Sequence, residues 1–234
     1  MIRKFLFPIS ITIALICLTY FLGYQIERQE FTFLIAHYFL FFAIYLFVFF
    51  TVKEKKHILF YTGIGILLRA ILVFAFPNLS DDIYRFIWDG HLWRNGLNPF
   101  DHLPSYYIEN KIQLDGIDQA LYDQLNSPNY FTIYPPVNQI LFALSVYVSP
   151  TSWWGSSVVL KSSLFLMEVG SIWLIIQLLQ HFQKPLKNVL LYALNPLLII
   201  EIVGNVHFEG AMVFFFLLSV WLLAMKKRLS LIHI

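Results

Sequence analysis

Apolar and polar residues segregate along this chain in blocks the length of whole helices. Apolar runs at about residues 5–24, 31–52 and 58–77 each approach the ~20 residues that cross a bilayer as a helix. A long, mostly polar stretch follows, from 78 to about 134. A short apolar run at 136–148 comes next, then three longer ones at 158–180, 188–203 and 211–225. The pattern predicts an all-α, polytopic transmembrane helical bundle with a large outer loop carrying amphipathic surface helices. Its parts are N-terminal transmembrane helices over 1–77, the loop over 78–135, and a re-entrant segment with further transmembrane helices over 136–228.

Composition supports this class. The chain is 59% hydrophobic and only 13% charged, where soluble domains carry about a quarter. The net charge of +2 says little because the charges are segregated. A single cysteine, Cys17, in an apolar run rules out an internal disulfide framework. Arg3 and Lys4 precede the first run without a small-residue cleavage site after it, so the first helix is expected to stay in place.

Basic residues favour the cytoplasmic side. Arg3 and Lys4 put the N-terminus inside, and Lys53, Lys55 and Lys56 mark the next inside loop, which sends the 78–135 loop outside. A full crossing by 136–148 would put Lys184, Lys187 and the Lys226-Lys227-Arg228 cluster outside. About thirteen residues at 1.5 Å each fall short of the ~30 Å core. That segment is therefore expected to be re-entrant or interfacial, with residues 204–210 beside the outer loop.

The densest chemistry lies at Leu79-Ser80-Asp81-Asp82-Ile83-Tyr84-Arg85-Phe86-Ile87-Trp88-Asp89-Gly90. Ser80 is an expected N-cap for a helix starting at Asp81. Asp81, Arg85 and Asp89 are spaced to share a face, while Ile83, Phe86 and Ile87 form an apolar face expected to point toward the bilayer. Acids are favoured in any first helical turn. Two adjacent acids with Arg85, Trp88 and Asp89 beside a membrane fit a general base instead, one Asp taking a proton from an acceptor hydroxyl and Arg85 orienting it or meeting a phosphate. Leu114, Ile117, Leu121 and Leu125 keep helical spacing and predict a second surface helix. Tyr130 and Tyr134, before Pro135-Pro136, read either as interfacial belt residues or as a pocket lining. Arg69, inside the third run, meets a lipid phosphate or pairs with Glu168 or Glu201; Lys161 shares a face with Glu168 and is a candidate ion-pair partner. Asn205, His207 and Glu209 match no strong metal spacing and suit sugar binding or loop stabilisation.

The acid run, followed by Asn98-Pro99-Phe100 and Tyr134-Pro135-Pro136, then Leu194-Asn195-Pro196-Leu197 with Glu201, Gly204, Asn205, His207, Glu209 and Gly210, resembles the bacterial multi-pass mannosyltransferase-like proteins of the GT-C superfamily. These are relatives of the enzyme that adds the first mannose to the glycosylphosphatidylinositol anchor. The resemblance spans about residues 79–223. It implies an inner-membrane transferase moving a sugar, mannose by family, from a polyprenyl-phosphate-linked donor to a glycan or lipid acceptor on the outer, periplasmic face, within the lipid bilayer and without nucleic acid. It makes Asp81 and Asp82 the catalytic candidates, with Asp82 preferred; beside it, the reading of the residues takes Arg85, Trp88, Asp89, Tyr134, Arg69, Asn205, His207 and Glu209 as the substrate-binding candidates. No obligatory cofactor or metal is expected, though adjacent aspartates can hold a divalent cation. A transporter or flippase for lipid-linked sugars, or a non-catalytic glycan-assembly subunit, stays open beside this reading. Many GT-C enzymes carry the acidic loop after their first span, and here it follows the third. The last six residues, 229–234, match a translation of a common transposon-based sequencing adapter, so a truncated reading frame with an artefactual tail is expected.

Overall fold

The computed structural model describes residues 2–225. The Lys226-Lys227-Arg228 cluster and the 229–234 tail lie outside the described residues. The protein is all-helical, with 71% of residues in helix and no strand among the described residues. Helices α1 (Ile2–Tyr24), α2 (Phe31–Thr51) and α3 (Lys55–Leu72) come first. The polar stretch holds α4 (Asp82–Arg94), α5 (Pro104–Glu109) and α6 (Gln119–Tyr122). Then come α7 (Pro136–Val148), α8 (Trp153–His181), α9 (Leu190–Ala193), α10 (Pro196–Leu198) and α11 (Glu209–Ala224).

Among the described residues two helices, α2 and α8, are long and apolar enough to cross a membrane; a third span results if Leu186–Ala193 and Pro196–Gly204, bent by 48°, are taken together. The bend has a local cause. Pro196 supplies no N–H, and the Asn195 carboxamide oxygen accepts from the Leu197 N–H at 3.0 Å, so a new helix starts there. The expected first and sixth spans are shorter apolar helices, Pro8–Tyr24 and Glu209–Ala224. In α2 large side chains such as Phe31, Phe39 and Phe50 face outward, as on a helix surrounded by lipid.

Cross-contacts divide the bundle into two ends. The Tyr24 hydroxyl donates to the Ile71 carbonyl at 2.6 Å, and the Trp154 indole donates to the Phe74 carbonyl at 2.9 Å. The end of α1, the end of α3 and the start of α8 therefore lie together, and the acid-rich stretch sits on that end. At the other end Lys187 stands 4.5 Å over the Phe49 ring, close in sequence to Lys53, Lys55 and Lys56. Because α8 starts from the end that α3 reaches, the chain between them, α7 included, does not traverse the bundle.

The interior charges of the bundle are paired by tertiary contacts. Arg69 of α3 is fully buried and donates to Glu168 of α8 at 2.9 Å and to the carbonyls of Gly65 and Ala193 at 3.0 and 2.6 Å. The Tyr192 hydroxyl donates to the other Glu168 oxygen at 2.5 Å. Lys161 does not take Glu168. It donates instead to the carbonyls of Leu72 and Ala75, at 3.2 and 2.5 Å, and so closes the C-terminal end of α3. Seven residues separate Lys161 from Glu168 on one helix, about 10 Å of rise, too far for a direct bond.

Candidate functional site

Helix α4 carries the acid motif and begins one residue later than expected. Asp81 stands at its N-cap with no side-chain capping bond, and the Ser80 hydroxyl accepts from the Asp82 N–H at 3.4 Å. The apolar face of α4 does not look toward a bilayer. Ile83, Phe86 and Ile87 are buried in the protein. Phe86 stacks on Phe142 of α7 with ring centroids 4.6 Å apart, and Tyr134 and Phe208 meet its edges at 4.8 and 5.5 Å. Gly90 permits this approach, since a Cβ there would run into the Phe142 carbonyl. Burying bulky aromatics against protein gains specific ring packing that loose lipid contact does not.

Behind that face lies a buried polar network. Arg85 Nε donates to Asp89 Oδ1 at 2.9 Å, both side chains being almost wholly buried. Arg85 Nη1 also donates to the carbonyls of Ser127 and Tyr130, at 3.2 and 3.0 Å. Gln139 of α7 donates to Asp89 Oδ2 at 2.9 Å and to the Thr132 hydroxyl at 3.1 Å, and accepts from the Trp93 indole at 3.0 Å. Burial pushes the Asp89 carboxyl above its ordinary range, opposed by Arg85 and by hydrogen bonds from Thr132 and Gln139. Arg85 Nε and Nη1 and both Asp89 oxygens are bonded within this chain. The pair holds the 127–134 segment against α4.

The two adjacent aspartates diverge. Asp81 is exposed and lies 3.7 Å from Arg28 of the α1–α2 turn. Asp82 is half-buried and accepts from the Asn126 carboxamide at 2.7 Å through Oδ1, which leaves Oδ2. The half-buried Tyr134 hydroxyl lies in the field of Asp82, Asp89 and Glu209, and burial together with these acids holds its pKa well above the usual phenol range. Tyr134 and Phe208 both meet the Phe86 ring, so the start of α11, with the exposed Glu209, lies on the side of α4 where Tyr134 packs.

Other candidate residues lie elsewhere. Trp88 is fully buried against Tyr107 and Tyr122, at 6.3 and 6.0 Å between rings. Arg69 is enclosed by Glu168 and backbone carbonyls. Asn205 and His207 join a separate polar cluster around Glu201, in a π-helical turn over Ile199–Gly204. Glu201 accepts from Asn205 and the Tyr38 hydroxyl at 2.9 Å each, with His207 Nδ1 at 3.5 Å. The expected surface helix over 114–125 shortens to α6, which Asp118 caps by accepting from the Leu121 N–H at 2.8 Å; Ile117, Leu121 and Leu125 still pack inward. Sequence reading missed Gln139 and Asn126. Gln139 had a signal, a polar residue one turn into an apolar run; Asn126 had none.

A groove of about 710 Å³ runs along the outer face of α7, lined by Trp93, Phe100, Pro136, Ile140, Leu144 and Tyr147 among others. Its lining starts at Pro136, two residues after Tyr134.

An all-helical chain with membrane-length apolar helices and an acid-rich end is the class that fold and site define. The chain belongs to the alpha-(1->6)-mannopyranosyltransferase family, whose N-terminal domain model matches residues 31–233. It is a mannosyltransferase, a glycosyltransferase enzyme that takes a sugar donor and an acceptor. No curated protein and no solved structure matches the chain.

Proposed function

We propose that this protein is a multi-pass membrane mannosyltransferase of the GT-C kind that uses a polyprenyl-phosphate-linked donor. Asp82 is the general base. The acceptor hydroxyl gives its proton to Asp82 Oδ2 and its oxygen forms the new bond to the sugar C1. The C1–O bond to the lipid phosphate breaks, and the phosphate leaves with the electron pair. The observation that carries this reading is the setting of Asp82: one oxygen held by Asn126, the other left for a substrate, Tyr134 and Glu209 close by. Tyr134 and Glu209 bind sugar hydroxyls, and the α7 groove takes the apolar chain of the donor. Arg85 and Asp89 are positioning residues, and Trp88 supports the fold beneath them. The reaction faces the periplasmic side, because the basic residues Lys53, Lys55, Lys56 and Lys187 gather at the opposite end of the bundle. No divalent cation is required.

Single replacements in the intact enzyme test this. In membranes supplied with a polyprenyl-phosphate mannose, Asp82→Asn is expected to lower transfer by about 10²–10⁴-fold, the usual worth of a general base. Asp81→Asn keeps transfer within a few-fold, and transfer persists in a chelator. Undiminished transfer by Asp82→Asn overturns the assignment.

A further inference from the structure

Between Asp123 and Lys161 the chain carries no charged residue and no histidine, although the stretch before it is acidic. This uncharged part holds residues 126–134, which form a strap over α4, and then α7. Three large side chains of the strap stand out from the protein: Tyr130 is 71% exposed, Phe131 54% and Ile133 86%. Thr132 between them is buried and accepts from the Gln139 carboxamide at 3.1 Å. The strap thus turns its threonine inward and its bulky apolar side chains outward, the reverse of a loop that faces water.

The same surface continues along α7. Val137, Ile140, Leu144 and Tyr147, spaced three and four apart, are exposed on one face of the helix. Gln139, Phe142 and Val146 on the other face are buried, with Gln139 bonded to Asp89 and Phe142 stacked on Phe86 of α4.

Contacts fix the level of this surface. At the middle of α7, Phe142 meets the Phe208 ring at 5.3 Å, directly before α11 begins. At its end, the Ser149 carbonyl accepts from the Ser156 hydroxyl at 2.8 Å, in the first turn of α8. Helix α7 therefore lies across the acid-rich end of the bundle, where the membrane-length helix α8 starts. Arg85 ties the strap's Ser127 and Tyr130 carbonyls to α4, and Asp81 at the start of α4 lies 3.7 Å from Arg28, in the turn that leads into membrane-length α2. The strap is thus held at the same level, the boundary of the membrane-spanning helices.

Irregular backbone suits the headgroup zone of a bilayer but not its hydrocarbon core. Pro128, Pro135 and Pro136 have no N–H, and the carbonyls of Ser127, Pro128, Tyr130 and Pro135 are taken within the chain. That backbone fits a shallow contact. Protein interfaces keep a polar rim around their apolar centre. Here tyrosine and phenylalanine stand beside isoleucine and valine without any charge, the composition of a membrane interface.

We propose that Tyr130, Phe131 and Ile133, with the outward face of α7, dock on the lipid leaflet at the acid-rich end of the bundle. The side chains enter the boundary between headgroups and acyl chains, and the bilayer becomes the second surface that holds the strap against α4. The contact is apolar and indifferent to headgroup charge, since residues 124–160 offer no cation to an anionic lipid. The strap carries Asn126 and Tyr134 at its two ends, so the leaflet steadies both. The docking itself does not depend on the role of Asp82.

Fluorescent labels on single cysteines test the contact. Phe131→Cys and Ile133→Cys, each in a full-length Cys17→Ser protein in nanodiscs, replace exposed side chains, and their thermal unfolding is expected to match the parent. Both labels are expected to lose fluorescence to a nitroxide placed high on the lipid acyl chain, and less to one at the chain's end. Both are sheltered from a water-soluble quencher. A label at Glu109→Cys, exposed in α5, shows the reverse. Nanodiscs of phosphatidylcholine alone and with phosphatidylglycerol give the same result. Labels at 131 and 133 as open to the aqueous quencher as the one at 109 overturn the docking. Labels sheltered from both quenchers overturn it too, because protein then covers the tip. Quenching by lipid that needs phosphatidylglycerol overturns the apolar contact. Asp82→Asn is expected to leave the quenching pattern unchanged, so a failure of the assigned base shows in transfer and a failure of the docking shows in depth.

Discussion

Removing the Asp89 carboxylate tests whether the buried network under α4 holds the site together. In Asp89→Ala the Arg85 guanidinium loses its counter-ion at 2.9 Å while remaining almost wholly buried. Gln139 loses an acceptor in the same step, at 2.9 Å. Breaking a buried pair by deleting one partner costs about 3–5 kcal/mol. Arg85 keeps two carbonyl acceptors, Ser127 and Tyr130, so the lower end applies. About 3 kcal/mol corresponds to a roughly 100-fold rise in the population of the opened state. Hydrogen exchange reads this locally: amides in the second half of α4 and in the 126–134 segment should exchange about 100-fold faster, while those of α2 and α8 keep their protection. Transfer should fall too, since the strap that carries Asn126 and Tyr134 to Asp82 is anchored through Arg85. Asp81→Ala is the control, because its contact to Arg28 is long and exposed, and such pairs contribute about 0–1 kcal/mol. Exchange in Asp89→Ala within threefold of the parent, or equal in the two variants, would refute the account of α4 as clamped by a buried ion pair.

Two further outcomes are expected. Arg69→Met leaves Glu168 buried with only the Tyr192 hydroxyl and should cost about 3–5 kcal/mol in detergent unfolding, while Arg69→Met with Glu168→Met should cost less; a single variant no worse than the double removes the pairing argument. Burial and Arg94 push the His91 pKa below its ordinary 6.5, against the pull of Asp118 and Asp115, so the stabilisation is present above about pH 6.5 and lost as pH falls through the folded value. The unfolding temperature of the parent should therefore drop more on acidification than that of His91→Asn, and identical pH profiles would count against it.

Local periodicity was enough for elements that depend only on neighbouring residues. The apolar runs mark α2, α7 and α8 because each helix satisfies its own backbone and needs only length and hydropathy to be recognised. Pro135-Pro136 sets the start of α7, and Asn195-Pro196 the bend before α10, through proline's missing N–H. Arg85 with Asp89 is legible as well, since four residues on one helix bring side chains together whatever else the chain does.

Partners across the fold were legible only as alternatives: Glu168 and Glu201 both stood as partners for Arg69, and Lys161 as one for Glu168. Arg69 finds Glu168 from 99 residues away, and Lys161, which shares a face with that same glutamate, turns to carbonyls at the end of α3. The reason is the low-dielectric interior. A buried charge takes whichever partner the packing sets at hydrogen-bond distance, and packing is decided by side-chain volumes of several helices at once. The same holds for the aspartates. Sequence alone placed Asp81 and Asp82 side by side at a helix start. Only the tertiary structure separated them, sending one to Arg28 in solvent and the other to Asn126 beside Tyr134, because Asp81 stands at the non-helical N-cap and Asp82 in the first turn, where they meet different neighbours.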